Sequence, residues 1–267
     1  MISNILSLLP KKTRERVFYR FLNNRQKLFP RDFKRAKLAY APGLVMSDLL
    51  VGDVISGSIA FTGFYELELS RQLKVLARKG GLFVDVGANL GYFSLLWLAG
   101  NVKNHVVAIE SSPRNQKAFE INMRANGLNG RWRLLASAAG HENREVAFNV
   151  GPVEQTGWGG ISPEENGSDV IKVDMQRLDT LLPDIEIAVL KVDVEGADTW
   201  VLYGCEELLK GKKISRIYFE QHHERMASLG IQPGHAEAFL NRFGYFCRSL
   251  GGREWLALAP NVTSQIE

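Results

Sequence analysis

Short apolar runs alternate with segments of helical periodicity over most of this chain. Five runs of aliphatic and β-branched residues have the length of buried parallel strands, and they occupy residues 82–86, 106–109, 132–136, 188–192 and 214–219. Helical patterns lie between them, such as the one from Pro113 to Asn126, which has Pro in its first turn and Gly127 after its end. This alternation predicts an α/β fold with a doubly wound, mostly parallel sheet and helices on both faces.

Three segments depart from the alternation. Residues 146–150 and 170–173 predict the two strands of a hairpin that a long glycine-rich loop connects. We call residues 151–168 of that loop the flap. We expect the flap to face the substrate, because long loops inside compact domains are usually functional. Residues 43–61 predict short strands or loops rather than a helix, and a helix should then run to about residue 77. The apolar segments 245–247 and 255–258 predict a closing antiparallel hairpin.

A turn rich in small residues joins the first predicted strand to the following helix. Asp85, Gly87, Asn89 and Gly91 are spaced two residues apart across it. Glycine has no Cβ, so the backbone can pass close to a ligand, and free N–H groups at the helix start lie beside the same point. A dinucleotide site would need G-x-G-x-x-G facing a pyrophosphate. A carboxylate at the strand end disfavours a diphosphate and suits a ligand with an ammonium group, such as S-adenosylmethionine.

Polar residues end all five predicted strands, and they are Asp85, Glu110, Ser137, Asp193 and Glu220. In a doubly wound sheet, ligands bind beyond the carboxyl ends of the strands, so these side chains should line one site. Glu110 follows the glycine turn by roughly twenty residues, where an acidic side chain can accept hydrogen bonds from both hydroxyls of a ribose. The alternative for Glu110 is an exposed helix-capping carboxylate before Ser111, Ser112 and Pro113.

Charge is unevenly distributed along the chain. The net charge is +4, but residues 1–40 contain eleven Lys or Arg against two acidic residues, so they carry +9 and the remainder carries −5. Residues 12–28 combine these charges with apolar positions at helical spacing, a pattern that fits docking on an anionic membrane surface. The other interpretation is a helix packed on the domain or on a second subunit of a homo-oligomer. Nucleic acid is not expected as a partner, because no basic and aromatic binding module follows.

Length and composition favour an ordinary globular protein. The 267 residues suffice for one elaborated domain, and we expect a basic helical arm at residues 1–42 followed by the main domain at 43–267. Without an apolar run long enough to span a membrane and without a signal peptide, a cytoplasmic location is expected, with peripheral membrane contact through the arm. Cys205 and Cys247 have no metal-ligand spacing and should be buried reduced thiols.

Three motifs together resemble the FkbM family of S-adenosylmethionine-dependent methyltransferases. They are FVDVGANLGYFS at residues 83–94, ESSP at 110–113 and LKVDVEGA at 190–197, and the resemblance covers about residues 45–255. It extends to GFYE at 63–66 and RLDTL at 177–181. The resemblance implies a Rossmann-like class I methyltransferase fold. It also implies O-methylation of a sugar, glycolipid or natural-product hydroxyl, with S-adenosylmethionine as cofactor and a small-molecule or glycan acceptor as partner.

Site residues follow from the resemblance by position. The turn from Asp85 to Gly91, including Gly87 and Asn89, would hold the methionine part of the cofactor, and Glu110 would hold the ribose. Ser111 is a further cofactor-binding candidate. Ser137 and Ala138 would border the adenine. Asp193 and Glu195 would lie near the sulfonium and the acceptor, and Glu66 is a further cofactor-binding candidate.

An acceptor hydroxyl needs a base to take its proton, which leaves several candidates. Asp193 or Glu195 would position the acceptor, and His222 would act as the base. Alternatively, Asp193, Glu195, Glu220 and His222 could bind a divalent ion that polarises a diol. Two other functions stay open: an NAD-dependent oxidoreductase, which the turn spacing disfavours, and a non-catalytic scaffold that binds a membrane or partner through the basic arm.

Overall fold

A computed structural model describes residues 1–263 of the chain. Its helices are α1 (Ile2–Leu6), α2 (Lys11–Val17), α3 (Val54–Thr62), α4 (Leu67–Leu76), α5 (Tyr92–Gly100), α6 (Pro113–Ala125), α7 (Leu178–Leu181), α8 (Asp198–Tyr203), α9 (Glu206–Lys210), α10 (His223–Ser228), α11 (His235–Arg242) and α12 (Pro260–Thr263). Its strands are β1 (Arg35–Lys37), β2 (Val45–Ser47), β3 (Leu82–Val86), β4 (His105–Ile109), β5 (Trp132–Leu135), β6 (Ala138–Ala139), β7 (Arg144–Asn149), β8 (Gly160–Ile161), β9 (Val170–Gln176), β10 (Val189–Val192), β11 (Arg216–Glu220), β12 (Phe246–Gly251) and β13 (Glu254–Leu258).

A seven-stranded sheet forms the centre of the fold, with the strand order β12-β13-β11-β10-β3-β4-β5. The strands β3, β4, β5, β10 and β11 pair in parallel, whereas β13 and β12 are antiparallel. The predicted doubly wound sheet and its closing hairpin are therefore confirmed. Since β4 and β10 lie on opposite sides of β3, the connections change direction at β3, which is where such sheets bind ligands.

The predicted hairpin with its long loop is also confirmed. Strands β7 and β9 pair antiparallel over their length, and together with β6 and β8 they form a separate four-stranded sheet. Within the flap, only the short strand β8 pairs with β7. The flap is thus attached to this second sheet at both of its ends.

The prediction of strands or loops for residues 43–61 is wrong over its second half, because residues 54–62 form α3. Asp53 caps this helix by accepting a hydrogen bond from the Ser56 N–H at 2.7 Å. Seven of its nine residues are buried. A helix covered on all sides has no polar face, so its sequence lacks the helical periodicity on which the prediction depended.

The basic N-terminal segment packs on the main domain. Phe18 and Leu22 are buried in the core, and Asp32 accepts hydrogen bonds from the backbone N–H groups of Ile2 and Ser3 at the start of α1. Strand β1 pairs with β2, so the boundary expected after residue 42 falls between two paired strands. That division of the chain stays a prediction. Across residues 1–263, every helix is too short or too polar to cross a membrane.

Candidate active site

The carboxyl ends of the parallel strands surround a cavity of about 360 Å³. Gly87 follows β3, Glu110 follows β4, Asp193 follows β10, and Glu220 ends β11. Neighbouring parallel strands present their ends at one edge, so residues more than a hundred positions apart meet here. The cavity lies at the direction change of the sheet and has a volume in the range of small-molecule sites.

Close packing against protein requires glycine at two positions of the turn that follows β3. Gly87, Asn89 and Gly91 all have positive φ angles, of 74°, 50° and 86°. A Cβ on Gly87 would lie 1.9 Å from the Asp193 carbonyl oxygen, and a Cβ on Gly91 would lie 2.8 Å from the Phe119 ring. Packing against protein therefore requires glycine at positions 87 and 91, and close approach of a ligand to this turn stays a prediction. Gly87 and Asn89 line the cavity, and Gly91 does not.

Glu110 fixes the backbone on two sides of the cavity. Its Oε2 accepts a hydrogen bond from the Asn89 N–H at 2.8 Å, and its Oε1 accepts one from the Ser112 N–H at 2.8 Å. Burial raises the pKa of this carboxyl, and the two backbone hydrogen bonds oppose that rise. Each carboxylate oxygen has a second lone pair, so Glu110 can still accept bonds from two ribose hydroxyls.

Several buried polar atoms of the cavity wall have no hydrogen-bond partner among residues 1–263. They are Asn89 Oδ1, Ser112 Oγ, Asn115 Oδ1 and Ser137 Oγ. Buried polar groups are normally paired, so four orphaned atoms on one cavity indicate a ligand with several hydrogen-bonding groups. A nucleoside with an amino acid attached, as in S-adenosylmethionine, has hydroxyl, amino and ring nitrogen groups, and the residues present fit it.

Asp85 lies beneath the cavity and is not part of its lining. It is 1% exposed, its Oδ2 accepts a hydrogen bond from Ser94 Oγ at 2.6 Å, and its Oδ1 is 3.9 Å from Lys191 Nζ. Lys191 is 3% exposed and also pairs with Asp193 at 3.1 Å. This geometry therefore disfavours direct contact between Asp85 and the methionine ammonium. Asp193, which does line the cavity, is the carboxylate available for that contact.

A group of one buried and three half-buried carboxyls with raised pKa values surrounds Asp193. Burial raises the pKa of Glu195 to about 7 and that of Asp198 to about 7, and the charge of Asp193 adds to both shifts. Burial also raises the pKa values of Glu66 and Glu220. For Lys191, burial alone would lower the pKa, but Asp193 and Asp85 raise it overall, so its ammonium stays charged.

The flap closes over the cavity and is held by side chains of the main domain. The Asp53 carboxylate accepts bonds from the Thr156 N–H at 3.0 Å and the Thr156 hydroxyl at 3.1 Å. Arg114 donates to three flap carbonyls, and Asn115 Nδ2 donates to the Thr156 carbonyl at 2.9 Å. Residues on both sides of Trp158 line the cavity, while the Trp158 side chain is 56% exposed. The expectation that the flap faces a substrate stays a prediction.

The structure brings together most of the residues singled out from the sequence. Nine of them line the cavity: Gly87, Asn89, Glu110, Ser111, Ser137, Ala138, Asp193, Glu195 and Glu220. Glu66 lies next to it, in a small neighbouring pocket with Lys191 and Asp193. His222 is not part of the lining. Within residues 1–263, the side chains of Asp193, Glu195, Glu220 and His222 do not form a group able to hold a metal ion.

Lys191 and the residues that hold the flap were not identified from the sequence. Lys191 lies between two apolar residues of a strand and close to the strand-end Asp193. Because a buried Lys needs carboxylate partners, this pattern could have indicated an ion pair at the site. Asp53 and Arg114 gave no comparable indication, because their partners lie about a hundred and about forty residues away along the chain.

The chain is similar to known methyltransferases. A family model described as "Methyltransferase FkbM domain" matches residues 85–247, which is more than half of the chain. "Methyltransferase 1" of the fungus Beauveria bassiana is 25% identical over 146 residues, which cover 46% of this chain and 58% of that protein. The chain thus spans less than two thirds of this relative.

Two solved structures are also similar. The FkbM methyltransferase of Methylobacillus flagellatus KT is 16% identical with a TM-score of 0.47, and the match covers 67% of this chain and 43% of that one. The SAH-bound methyltransferase PaMTH1 of Podospora anserina is 16% identical with a TM-score of 0.43, and covers 73% of this chain and 79% of that one. Given the family match over residues 85–247, this chain belongs to the FkbM methyltransferase family and has the class I methyltransferase fold.

Proposed function

We propose that this protein transfers the methyl group of S-adenosylmethionine to a hydroxyl of a sugar, glycolipid or natural-product acceptor. The observation that carries the proposal is that Glu110, Asp193 and Glu195 line one cavity under the flap. Family membership supports a methyltransferase and its cofactor, S-adenosylmethionine. The oxidoreductase and scaffold alternatives have no comparable support.

Different residues of the cavity bind different parts of S-adenosylmethionine. Glu110 accepts hydrogen bonds from the ribose hydroxyls, and Asp193 pairs with the methionine ammonium. Ser137 and Ala138 border the adenine at the end of β5. S-adenosylmethionine, once bound, supplies the methyl group and the positive charge that makes it transferable. The flap excludes water and holds the acceptor in line with the methyl, since alignment of the reacting atoms is the main source of rate in such a reaction.

Glu195 is the group we assign to the acceptor proton. It lines the cavity, and a Cβ on the flap residue Gly160 would lie 3.5 Å from its Cβ, so it lies directly under the flap. Its carboxylate pairs with Arg225 at 3.3 Å, which holds it in place. A base is most effective when its pKa is near the working pH, and the pKa of Glu195 is about 7. His222 lies outside the lining.

A transfer assay with an isotope-labelled methyl donor tests this proposal. The protein is incubated with a panel of sugars, glycolipids and cell-extract metabolites, and mass spectrometry identifies the labelled product. We expect an O-methyl ether, with a rate that rises as the pH passes about 7, where Glu195 loses its proton. Glu195→Gln should lower kcat about a hundredfold and remove that pH dependence.

The exposed flap residue Glu164 supplies a matched control, and Glu164→Gln should leave kcat unchanged. Label on nitrogen or carbon in the product would refute O-methylation but not methyl transfer. An unchanged pH profile in Glu195→Gln would remove Glu195 from the proton step.

A further inference from the structure

A second cavity, of about 610 Å³, lies between the N-terminal segment and the C-terminal end of α3. Five basic residues line it: Arg14, Arg31, Lys34, Arg35 and Lys37. The lining contains no Asp or Glu. Ser and Asn side chains of α1 form one wall, and apolar residues such as Leu38 and Phe61 form another. The cavity therefore combines concentrated positive charge with an apolar surface.

The basic side chains of this cavity form no ion pairs in the described part of the chain. Within residues 1–263, none of the five basic side chains lies within 4.0 Å of a carboxylate. Arg14 is fixed by backbone oxygens instead, since it donates to the Leu9 carbonyl at 2.8 Å and the Thr62 carbonyl at 3.2 Å. These bonds orient its guanidinium and leave its positive charge in place. Like charges held close together repel one another, and a bound anion would relieve that repulsion.

The basic cavity is separate from the candidate active site. Ile55, in the first turn of α3, lines the active-site cavity, whereas Thr62 at the other end of α3 lines the basic one. Seven residues of helix place these two positions about 10 Å apart along the axis. The two sites thus share an element, and they have opposite charge: carboxylates dominate one and cations the other.

We propose that the basic cavity binds a ligand with a phosphate or diphosphate group joined to an apolar part. Guanidinium groups match the geometry of phosphate oxygens with paired hydrogen bonds, and the two lysines add point charges. The walls near Leu38 and Phe61 can cover the carbon portion of the ligand. A soluble phosphate ester and a phospholipid headgroup share this chemistry. The exposed apolar side chains Ile5, Leu8 and Phe21 of the same segment are consistent with the lipid source.

Two titrations of the full-length protein distinguish these sources. One uses inorganic pyrophosphate, followed by calorimetry. The other uses phosphatidylcholine vesicles with and without phosphatidylglycerol, followed by sedimentation. Both are repeated with saturating S-adenosylhomocysteine, which blocks the active-site cavity. We expect binding of pyrophosphate, of the anionic vesicles or of both, with affinity that falls as salt is added.

Two triple variants with the same change in net charge test the location. Lys34→Gln/Arg35→Gln/Lys37→Gln alters the cavity, and we expect at least about tenfold weaker binding, because charge-assisted hydrogen bonds are lost. Lys12→Gln/Arg16→Gln/Arg20→Gln alters exposed cations of the same segment outside the cavity and should change the affinity for pyrophosphate less than about twofold. Circular dichroism checks folding, and the single Lys34→Gln variant replaces the first triple variant if that one is unfolded.

Selective loss with the cavity variant supports the proposal, and the probe that binds identifies the source. Failure of both probes to bind the wild-type protein would overturn it. Equal loss in both triple variants would also overturn it, because the effect would then come from general charge. Neither result depends on methyl transfer, so the proposed function can fail while this inference stands.

Discussion

Replacing Lys191 with Met tests how the charges beneath the active site are held. Met has a similar length and no charge, so Lys191→Met leaves Asp85 and Asp193 close together without their cation. Both members of the Lys191 and Asp85 pair are at least 97% buried, and water cannot replace the lost partner. Removal of one partner from a buried ion pair costs about 3–5 kcal/mol, and we expect a loss of this size in the free energy of unfolding.

The pH dependence of that loss distinguishes charge from packing. Burial raises the pKa of Asp85, so without Lys191 the carboxyl should take up a proton as the pH falls. Urea unfolding at about pH 8 and about pH 5 should therefore show a smaller loss at the lower pH. A second substitution, Asp85→Asn, should restore part of the stability at about pH 8, because Asn can still accept the Ser94 hydrogen bond.

Lys172→Met is the matched control, because Lys172 pairs with Glu145 at 2.9 Å on the surface. Water screens such a pair, so this variant should unfold almost like the wild-type protein at both pH values. The reasoning is refuted if Lys191→Met behaves like Lys172→Met, or if its loss is equal at both pH values.

Two further predictions concern Asp198 and the flap. The pKa of Asp198 is about 7 in the folded protein and 3.8 ordinarily, so the folded state binds the proton more tightly than the unfolded state does. Proton binding by Asp198 therefore stabilises the fold at low pH, and this stabilisation is lost as the pH rises between these two values. In Asp198→Asn, which can still accept the Glu220 N–H bond, the fall in Tm between about pH 5 and pH 7 should be smaller. Thr156→Val removes only the hydroxyl bond to Asp53, and limited proteolysis should cut residues 151–168 faster, because about 1 kcal/mol of closure is lost.

Exposed positions provide the controls for both. Asp169→Asn should keep the pH slope of the wild-type protein, and Ser168→Ala should leave the rate of flap cleavage unchanged. A wild-type slope in Asp198→Asn, or equal cleavage of the two flap variants, would contradict the respective argument.

The central sheet could be predicted from the sequence because parallel strands buried on both faces are continuous apolar runs. Residues 82–86 and 106–109 carry that pattern, and both form strands with nearly those bounds. Helix α3 could not be predicted, because its burial on all sides removes the polar face. Strand ends also located Glu110 and Asp193 correctly, since position along a parallel strand fixes the edge at which its end lies.

The sequence did not show whether a side chain at a strand end reaches the cavity or lies beneath it. Asp85 lies on the same strand end as Gly87, but its side chain turns beneath the cavity towards Ser94 and Lys191. Pairing across strands decides that direction, and pairing is a tertiary property. The hydrogen bonds that close the flap onto Asp53 and Arg114 depend on the folded chain for the same reason.

Calorimetric titration with S-adenosylhomocysteine, run on wild-type protein and on Glu110→Gln under the same conditions, measures whether Glu110 binds the cofactor. We expect one site per chain in the wild-type protein and an affinity about tenfold weaker in Glu110→Gln, because one charged acceptor for the ribose hydroxyls is lost. No heat of binding with the wild-type protein, or equal affinity in both proteins, would contradict this expectation.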